Sequence, residues 1–296
     1  MTNPVETLDI VQWQPAPGQF AAQNCIDALE GGKVLYCPQL RFALADSELQ
    51  FLDPAVLGDK AKSLAFDPRS GVLKHARNHQ AEIAAMMRRY AESSRTLVES
   101  LFPRYAAALE TGRTSFRPVG ISGRATSLTK DDTLLHVDAF PTSPVGDRRI
   151  LRVFSNVNRS GESRHWRLGE PFSDVANRFY PKLRRPLPGA AHVLKYSGLT
   201  RKFRTRYDQA MLGIHDAMKR AKHYQQTVPY KDFDFQPGST WIVFTDMVSH
   251  AAMSGQHLFE QTFYLPVSAM ADQGKAPLRI LEALAGRQLA PRTAAA

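Results

Sequence analysis

Residues 131–158 read DDTLLHVDAFPTSPVGDRRILRVFSNVN. Within them His136 and Asp138 stand two positions apart in an apolar stretch. In extended backbone, that spacing aims both side chains at one face. PTSPVGD (141–147) then reads as a turn, and RRILRVFSNVN (148–158) as a strand. A second block, QPGSTWIVFTDMVSHAAMSGQHLFEQTFYLPV (236–267), reads as a Pro-Gly turn, an apolar strand, a short loop with His250, and another strand. SLTKDDTLLHVDAF (127–140) and AHVLKYSGL (191–199) are further strand candidates. Strands separated by turns, without regular βα alternation, predict a mainly β (α+β) fold with flanking helices. The architecture expected is a sandwich or jelly roll, not a doubly wound sheet.

Outward from this core, Phe203, Tyr207, Met211, Ile214 and Met218 form an apolar stripe that predicts a helix over 203–225. Towards the amino terminus, LEGGKVLYCPQLRFAL (29–44) suits a strand behind a Gly-Gly turn. Residues 72–109 carry Ile83, Met86, Met87, Tyr90, Leu97 and Leu101 at helical spacing. PLRILEALAG (277–286) predicts a short terminal helix. The expected organisation is one structural unit in three parts. They are a strand-and-helix layer over 1–115, a catalytic β core over 116–270, and a helical tail over 271–296.

Composition narrows the function. Of 296 residues, 43% are hydrophobic, enough for a packed core. Cys25 and Cys37 are too few for a disulfide framework, a four-cysteine zinc site or an iron–sulfur cluster. There is no run long and apolar enough for a membrane span, and MTNPVETLDIVQWQ lacks the blocks of a secretory signal. The expectation is a soluble, cytoplasmic protein. A net charge of +10 points to an anionic partner without choosing one. No phosphate-binding, dinucleotide-binding, nucleophile-elbow or His-Glu-x-x-His motif is present.

The chemistry therefore rests on His136 and Asp138. An imidazole and a carboxylate on one face, joined by a distant histidine, make the 2-His-1-carboxylate triad that holds Fe(II) and leaves positions for cosubstrate and O2. His250, following its strand, is the expected third ligand, ahead of His257. His75 and His79 have i,i+4 spacing but lack the adjoining glutamate and read as a solvated face. An oxygenase of this kind also holds the far carboxylate of 2-oxoglutarate, for which a bidentate arginine is suited. Many oxygenases of this class place that arginine about ten residues beyond the distal histidine. Here the position eleven residues beyond His250 is Gln261, a departure from that arrangement that leaves Gln261 as a candidate cosubstrate contact. Arg152, set among apolar residues where a guanidinium needs an anion, is the expected anchor, with Thr133 a secondary hydroxyl donor. Arg124, Arg148 and Trp166 are expected on the substrate side, with Arg149, Arg164 and Arg167 in the same group.

The segments ALEGGKVLYCPQLRFAL (28–44), LHVDAFPTSP…RRILRVFSNVN and WIVFTDMVSHAAMSGQHLFEQTFYLP resemble the Kdo hydroxylase family. The resemblance extends over almost the whole chain, PLRILEALAG included. It implies a double-stranded β-helix (jelly roll) with flanking helices, and an Fe(II)- and 2-oxoglutarate-dependent dioxygenase that hydroxylates C3 of a 3-deoxy-D-manno-oct-2-ulosonic acid (Kdo) residue, giving Ko. The implied acceptor is Kdo-lipid A, the inner-core precursor of lipopolysaccharide. Such an acceptor is anionic, and the basic chain could meet it at the cytoplasmic face of the inner membrane. The competing expectations are a dioxygenase of the same fold acting on another anion, a metal-free sugar-binding jelly roll, and a nucleic-acid-binding protein. The last lacks any recognition motif.

Overall fold

The computed structural model describes residues 3–16, 18–59, 61–121, 127–183 and 203–291. Strand β6 (Arg148–Asn156) is buried along most of its length and paired on both edges. Its nearly continuous apolar run follows from being covered on both faces. It lies inside an eight-stranded sheet of order β1–β2–β9–β6–β11–β5–β3–β4. The other members are β1 (Val5–Thr7), β2 (Val34–Cys37), β3 (Leu64–Asp67), β4 (Val72–Lys74), β5 (Glu110–Arg117), β9 (Thr240–Phe244) and β11 (Leu258–Pro266). All pairs are antiparallel except β1 with β2. A smaller antiparallel sheet has the order β10 (His250–Ser254), β7 (Arg164–Leu168), β8 (Lys231–Phe235).

Aromatic side chains hold the two sheets together. Trp241 of β9 stacks on Phe235 of β8 at 4.0 Å and on Phe154 of β6 at 5.3 Å between ring centres. Trp166 of β7 meets Phe154, Phe235 and Trp241 edge-on. Large rings in this interlayer bury much apolar area in offset and edge-to-face contacts.

The outer face of the large sheet is covered by α2 (Gln80–Leu101). Its stripe, from Ile83 through Met87, Tyr90, Leu97 and Leu101, is buried as the periodicity predicts. The Tyr90 hydroxyl donates to the Val153 carbonyl at 3.1 Å, tying this helix to β6. Elsewhere the helices are α1 (Ala22–Glu30), α3 (Phe172–Phe179), α4 (Arg206–Arg220), α5 (Lys222–Thr227) and α6 (Pro277–Ala285). Pro277 opens α6, where its missing N–H costs nothing, and Gly286 closes it in the left-handed region at φ 62°. Among the described residues no helix is long and apolar enough to cross a membrane.

Several expectations need correction. The helix expected over 203–225 is two helices, α4 and α5, broken at Ala221. His75 and His79 are not on a helix: both have positive φ and precede Gln80, where α2 begins. The expected strand over 127–140 is a short 3-10 turn at Leu128–Lys130 followed by extended backbone. Asp131 folds that stretch back by accepting from both Thr133 N and Thr133 Oγ1, at 2.9 and 2.6 Å. The segment 191–199 lies outside the described residues.

The turn 245–249 carries the chain from β9 in the large sheet to β10 in the small one. Asp246 within it accepts from Arg149 Nε at 2.8 Å and Arg149 Nη2 at 3.0 Å, with both side chains buried. Arg149 also lies 4.0 Å from the Phe244 ring centre. This corner delivers His250 to the space between the sheets.

Candidate metal centre

His136 and His250 are joined by an isolated antiparallel bridge in which each backbone N–H donates to the other's carbonyl, at 3.0 and 2.9 Å. Directly paired residues project to the same side, and the two imidazole centres lie 4.7 Å apart. Asp138, two residues on, is fixed by its N–H to the Thr245 carbonyl at 2.8 Å. One ligand atom from each of His136, Asp138 and His250 lies within 4.8 Å of the others. Two-residue spacing and one bridge thus bring the three expected ligands together.

Both imidazoles are oriented by their own backbone. His136 Nδ1 lies 2.7 Å from the Leu134 carbonyl, and His250 Nδ1 lies 2.8 Å from the Val248 carbonyl. A carbonyl can only accept, so each Nδ1 carries a proton, and the neutral tautomer this selects presents its lone pair at Nε2. Gln225 of α5 adds a second brace. Its side-chain carbonyl accepts from Leu135 N, and its amide donates to Leu135 O, both at 2.9 Å. Behind His250, Trp166 stacks on the ring at 4.9 Å and 22°. Burial pushes the His250 imidazole down to about 4, and neighbouring His136 adds to this. Burial opposes ionisation of Asp138. The Arg152 cation and the two imidazoles outweigh it and hold the carboxyl well below the usual range.

A chain of alternating charges leads from the centre. Asp138 Oδ2 lies 3.0 Å from Arg152 Nη1, which is 3.5 Å from Glu260 Oε1. Glu260 Oε2 lies 2.8 Å from Arg117 Nη2, and Arg117 Nη1 is 3.4 Å from Asp132. These side chains, with Trp166 and the two histidines, surround a chamber of about 40 Å³. Apart from the ion pair with Arg152 Nη1, Asp138 Oδ2 has no hydrogen-bond partner among the described residues, and Arg152 Nε has none. Two imidazoles with Nδ1 turned to backbone carbonyls, beside a carboxylate held in its ionised form, are a donor set suited to Fe(II). Arg152 borders this chamber, and the anions it meets there are Asp138 and Glu260.

Other expected residues lie elsewhere. Gln261 points to the opposite face of β11, where it accepts from Thr114 at 2.5 Å, because alternation gives the chamber Glu260 instead. Thr133 is held by Asp131 outside the chamber lining. Arg148 pairs with Glu110 and lies over the Tyr264 ring, away from the chamber. Arg149 is wholly occupied by the corner. Trp166 is a buried member of β7 that backs His250. Arg164 borders the chamber and donates to the Gly255 carbonyl at 3.0 Å, while Arg167 packs over Tyr230. Arg124 lies outside the described residues. His257, at φ 57°, sits in the turn before β11 with Asn158, not with the other histidines.

Arg117, Glu260 and Gln225 belong to no motif. For Arg117 the alternation in TGRTSFR (111–117) is a signal, since Arg113, Ser115 and Arg117 share one strand face opposite Thr114 and Phe116. Gln225 is a polar residue at the end of an otherwise apolar helical stripe, which is weaker.

A family model described as 3-deoxy-D-manno-oct-2-ulosonic acid (Kdo) hydroxylase matches residues 12–288. No curated protein sequence matches the chain. Among solved structures, the chain is similar to the Kdo hydroxylase KdoO, a non-heme Fe(II) alphaketoglutarate dependent dioxygenase, in complex with alphaketoglutarate and Fe(III). The identity is 45%, 97% of each chain is covered, and the TM-score is 0.93. It is similar to KdoO with cobalt(II) at 45% identity, 99% coverage of each and a TM-score of 0.95. For KdoO with succinate and Fe(III) the values are 44%, 99% of each and 0.94. With matches spanning nearly its whole length, the chain belongs to the Kdo hydroxylase family.

Proposed function

We propose that this chain is an Fe(II)- and 2-oxoglutarate-dependent dioxygenase that hydroxylates C3 of a Kdo residue, with Kdo-lipid A as the acceptor and Ko as the product. The observation that carries the reading is the convergence of His136, Asp138 and His250, with ligand atoms within 4.8 Å of one another. These three side chains would hold the metal. Bound together, ferrous iron, 2-oxoglutarate and O2 supply an oxidation in which the oxo acid becomes succinate and carbon dioxide while one oxygen atom enters the sugar's C3–H bond.

The rest of the work belongs to the chain. Leu134 and Val248 carbonyls fix the two tautomers, so both histidines meet a cation without giving up a proton. Arg152, joined by Arg117, receives the remote carboxylate of 2-oxoglutarate, and Glu260 between them keeps two cations side by side until that anion arrives. Trp166 and Phe154 wall the chamber with apolar rings that limit water around the reacting groups.

The net charge of +10 supports peripheral docking at an anionic membrane surface that presents such an acceptor. Binding to anionic vesicles should weaken as ionic strength rises; insensitivity to salt removes this part of the reading. The reaction is tested by 2-oxoglutarate turnover with Fe(II), with and without Kdo-lipid A. Succinate release stimulated by the acceptor, with a product 16 Da heavier (one added oxygen), is expected. Turnover coupled to a different anionic acceptor would overturn the substrate assignment.

A further inference from the structure

A second and much larger cavity adjoins the metal chamber. It has a volume of about 540 Å³, within the range of small-molecule sites, and shares Arg117, Arg152 and Glu260 with the chamber. The 40 Å³ inner space takes only a few water-sized groups, so a sugar presented to the metal must extend into this outer cleft.

Strand register shows how the cleft is built. Glu260 pairs with Ser115, Ser115 with Ala65, and Ala65 with Lys74. This cross-strand row runs along one face of the large sheet from the charge chain at the metal centre to the edge strand β4. Three strand spacings separate Glu260 from Lys74, about 14 Å. Arg113 stands two residues before Ser115 on the same face of β5, and Phe140–Ser143 also lines the cleft. At Gly112 an added Cβ would lie 2.8 Å from the Thr262 carbonyl, so the strands approach closely at the cleft floor.

The floor's charges divide by position. At the metal centre Arg117 and Arg152 are matched by acids, sharing Glu260 and pairing also with Asp132 and Asp138. Arg69 at the rim has Asp67 at 3.7 Å. Lys74 and Arg113 have no carboxylate within ion-pair distance among the described residues. Exposed lysines and arginines are common on protein surfaces. These two differ in lining a concave cleft continuous with the metal chamber and in projecting from the face that carries the site.

We infer that the outer cleft is a subsite for the extended acceptor, in which Arg113 and Lys74 bind an anionic group carried by the same substrate molecule beyond the sugar that is oxidised. This rests on the function proposed above and assigns its selectivity. The chain would favour a Kdo residue embedded in a larger polyanion over the free sugar acid. The anion is a phosphate or a second sugar's carboxylate, since both accept from guanidinium and ammonium.

The test uses the full chain carrying Arg113→Ala and Lys74→Ala, both exposed positions, with Arg113→Glu and Lys74→Glu as a charge reversal. The probes are Kdo-lipid A in detergent micelles, its dephosphorylated form and free Kdo. Equilibrium binding is measured without O2, so that no turnover is needed. Kdo-lipid A binding should weaken at least tenfold in the alanine pair and further in the reversal, while the affinities for 2-oxoglutarate and free Kdo stay unchanged. A defect that vanishes with the dephosphorylated lipid identifies the anion as phosphate; one that persists identifies a sugar carboxylate. Unchanged Kdo-lipid A binding in both variants overturns the subsite, even if succinate release proceeds normally. Conversely, Lys74- and Arg113-dependent binding without acceptor-stimulated succinate release leaves the subsite standing and removes the proposed reaction.

Discussion

Arg152 Nη1 lies 3.0 Å from Asp138 Oδ2, while the other carboxylate oxygen, Oδ1, faces His136 Nε2 at 3.6 Å. One carboxylate is thus divided between a guanidinium on β6 and the imidazole side, where a metal would bind. The side chain expected to hold the cosubstrate also holds a metal ligand in place. On the proposed function, positioning of 2-oxoglutarate and of the metal would be linked through this single buried pair.

Asp138→Ala removes the only carboxylate of the three-ligand group and leaves Arg152 with Glu260. The variant should fold, because the backbone bonds of the segment run through His136 N, His136 O and Asp138 N, none of which depends on the side chain. Iron content should fall to background and succinate formation should stop. Full activity in a folded Asp138→Ala protein would exclude this metal centre.

Arg152→Ala and Arg117→Ala should each raise the KM for 2-oxoglutarate. A hydrogen bond to a charged group is worth roughly 1.5–3 kcal/mol, or about 10- to 150-fold in affinity. Arg152→Ala should have the larger effect and should also lower iron retention, since it strips Asp138 of its counter-ion. Arg117→Ala should leave iron retention intact. An unchanged 2-oxoglutarate dependence in both would move the anchor to Arg164, the remaining arginine of the chamber.

The extent to which the primary structure shows this site follows from the range of each constraint. His136 and Asp138 are legible because two-residue spacing in extended backbone is a local property. His250 is legible because it follows an apolar strand. Arg152 stands out because a guanidinium inside an apolar strand requires an anion. Gln261 misleads because counting residues from His250 ignores the chain reversal between β10 and β11, after which alternation puts Glu260 towards the metal centre. Arg148, Arg149 and Trp166 look like substrate-side residues only while the sheets are unplaced. Once β6 and β7 are placed, Arg149 serves the buried corner and Trp166 the wall behind His250. Arg117 and Gln225 act through partners 143 and 90 residues away, which no local pattern records.

Gln225 is a positioning residue, reaching His136 only through the backbone of Leu135. Gln225→Ala leaves a donor and an acceptor of Leu135 to find other partners and loosens the ligand segment. Iron affinity should fall about tenfold, the range seen for supports outside the ligand set. A structural role alone would lower the melting temperature without changing iron affinity measured at saturating folded protein. Gln225→Glu keeps the acceptor for Leu135 N but loses the donor for Leu135 O, so it should recover only part of the affinity.

The corner pair Arg149–Asp246 lends itself to a double-mutant cycle. Arg149 is fully buried and Asp246 nearly so, with two hydrogen bonds between them. Arg149→Met strands a buried carboxylate and should destabilise the fold by roughly 3–5 kcal/mol. Asp246→Leu strands the guanidinium and should do the same. The double variant places apolar groups of similar volume beside Phe244 and Met270, and should recover most of the loss. Urea titrations of the four proteins read this directly, and simple additivity of the two losses would show that the residues act independently. Because the corner sets where β10 begins, the double variant reports a second quantity as well. If the pair serves only to hold the turn, restored stability should come with restored iron binding at His250. Recovery of stability without recovery of iron affinity would mean that the ion pair itself, and not the packing it occupies, sets the path of the chain into the metal centre.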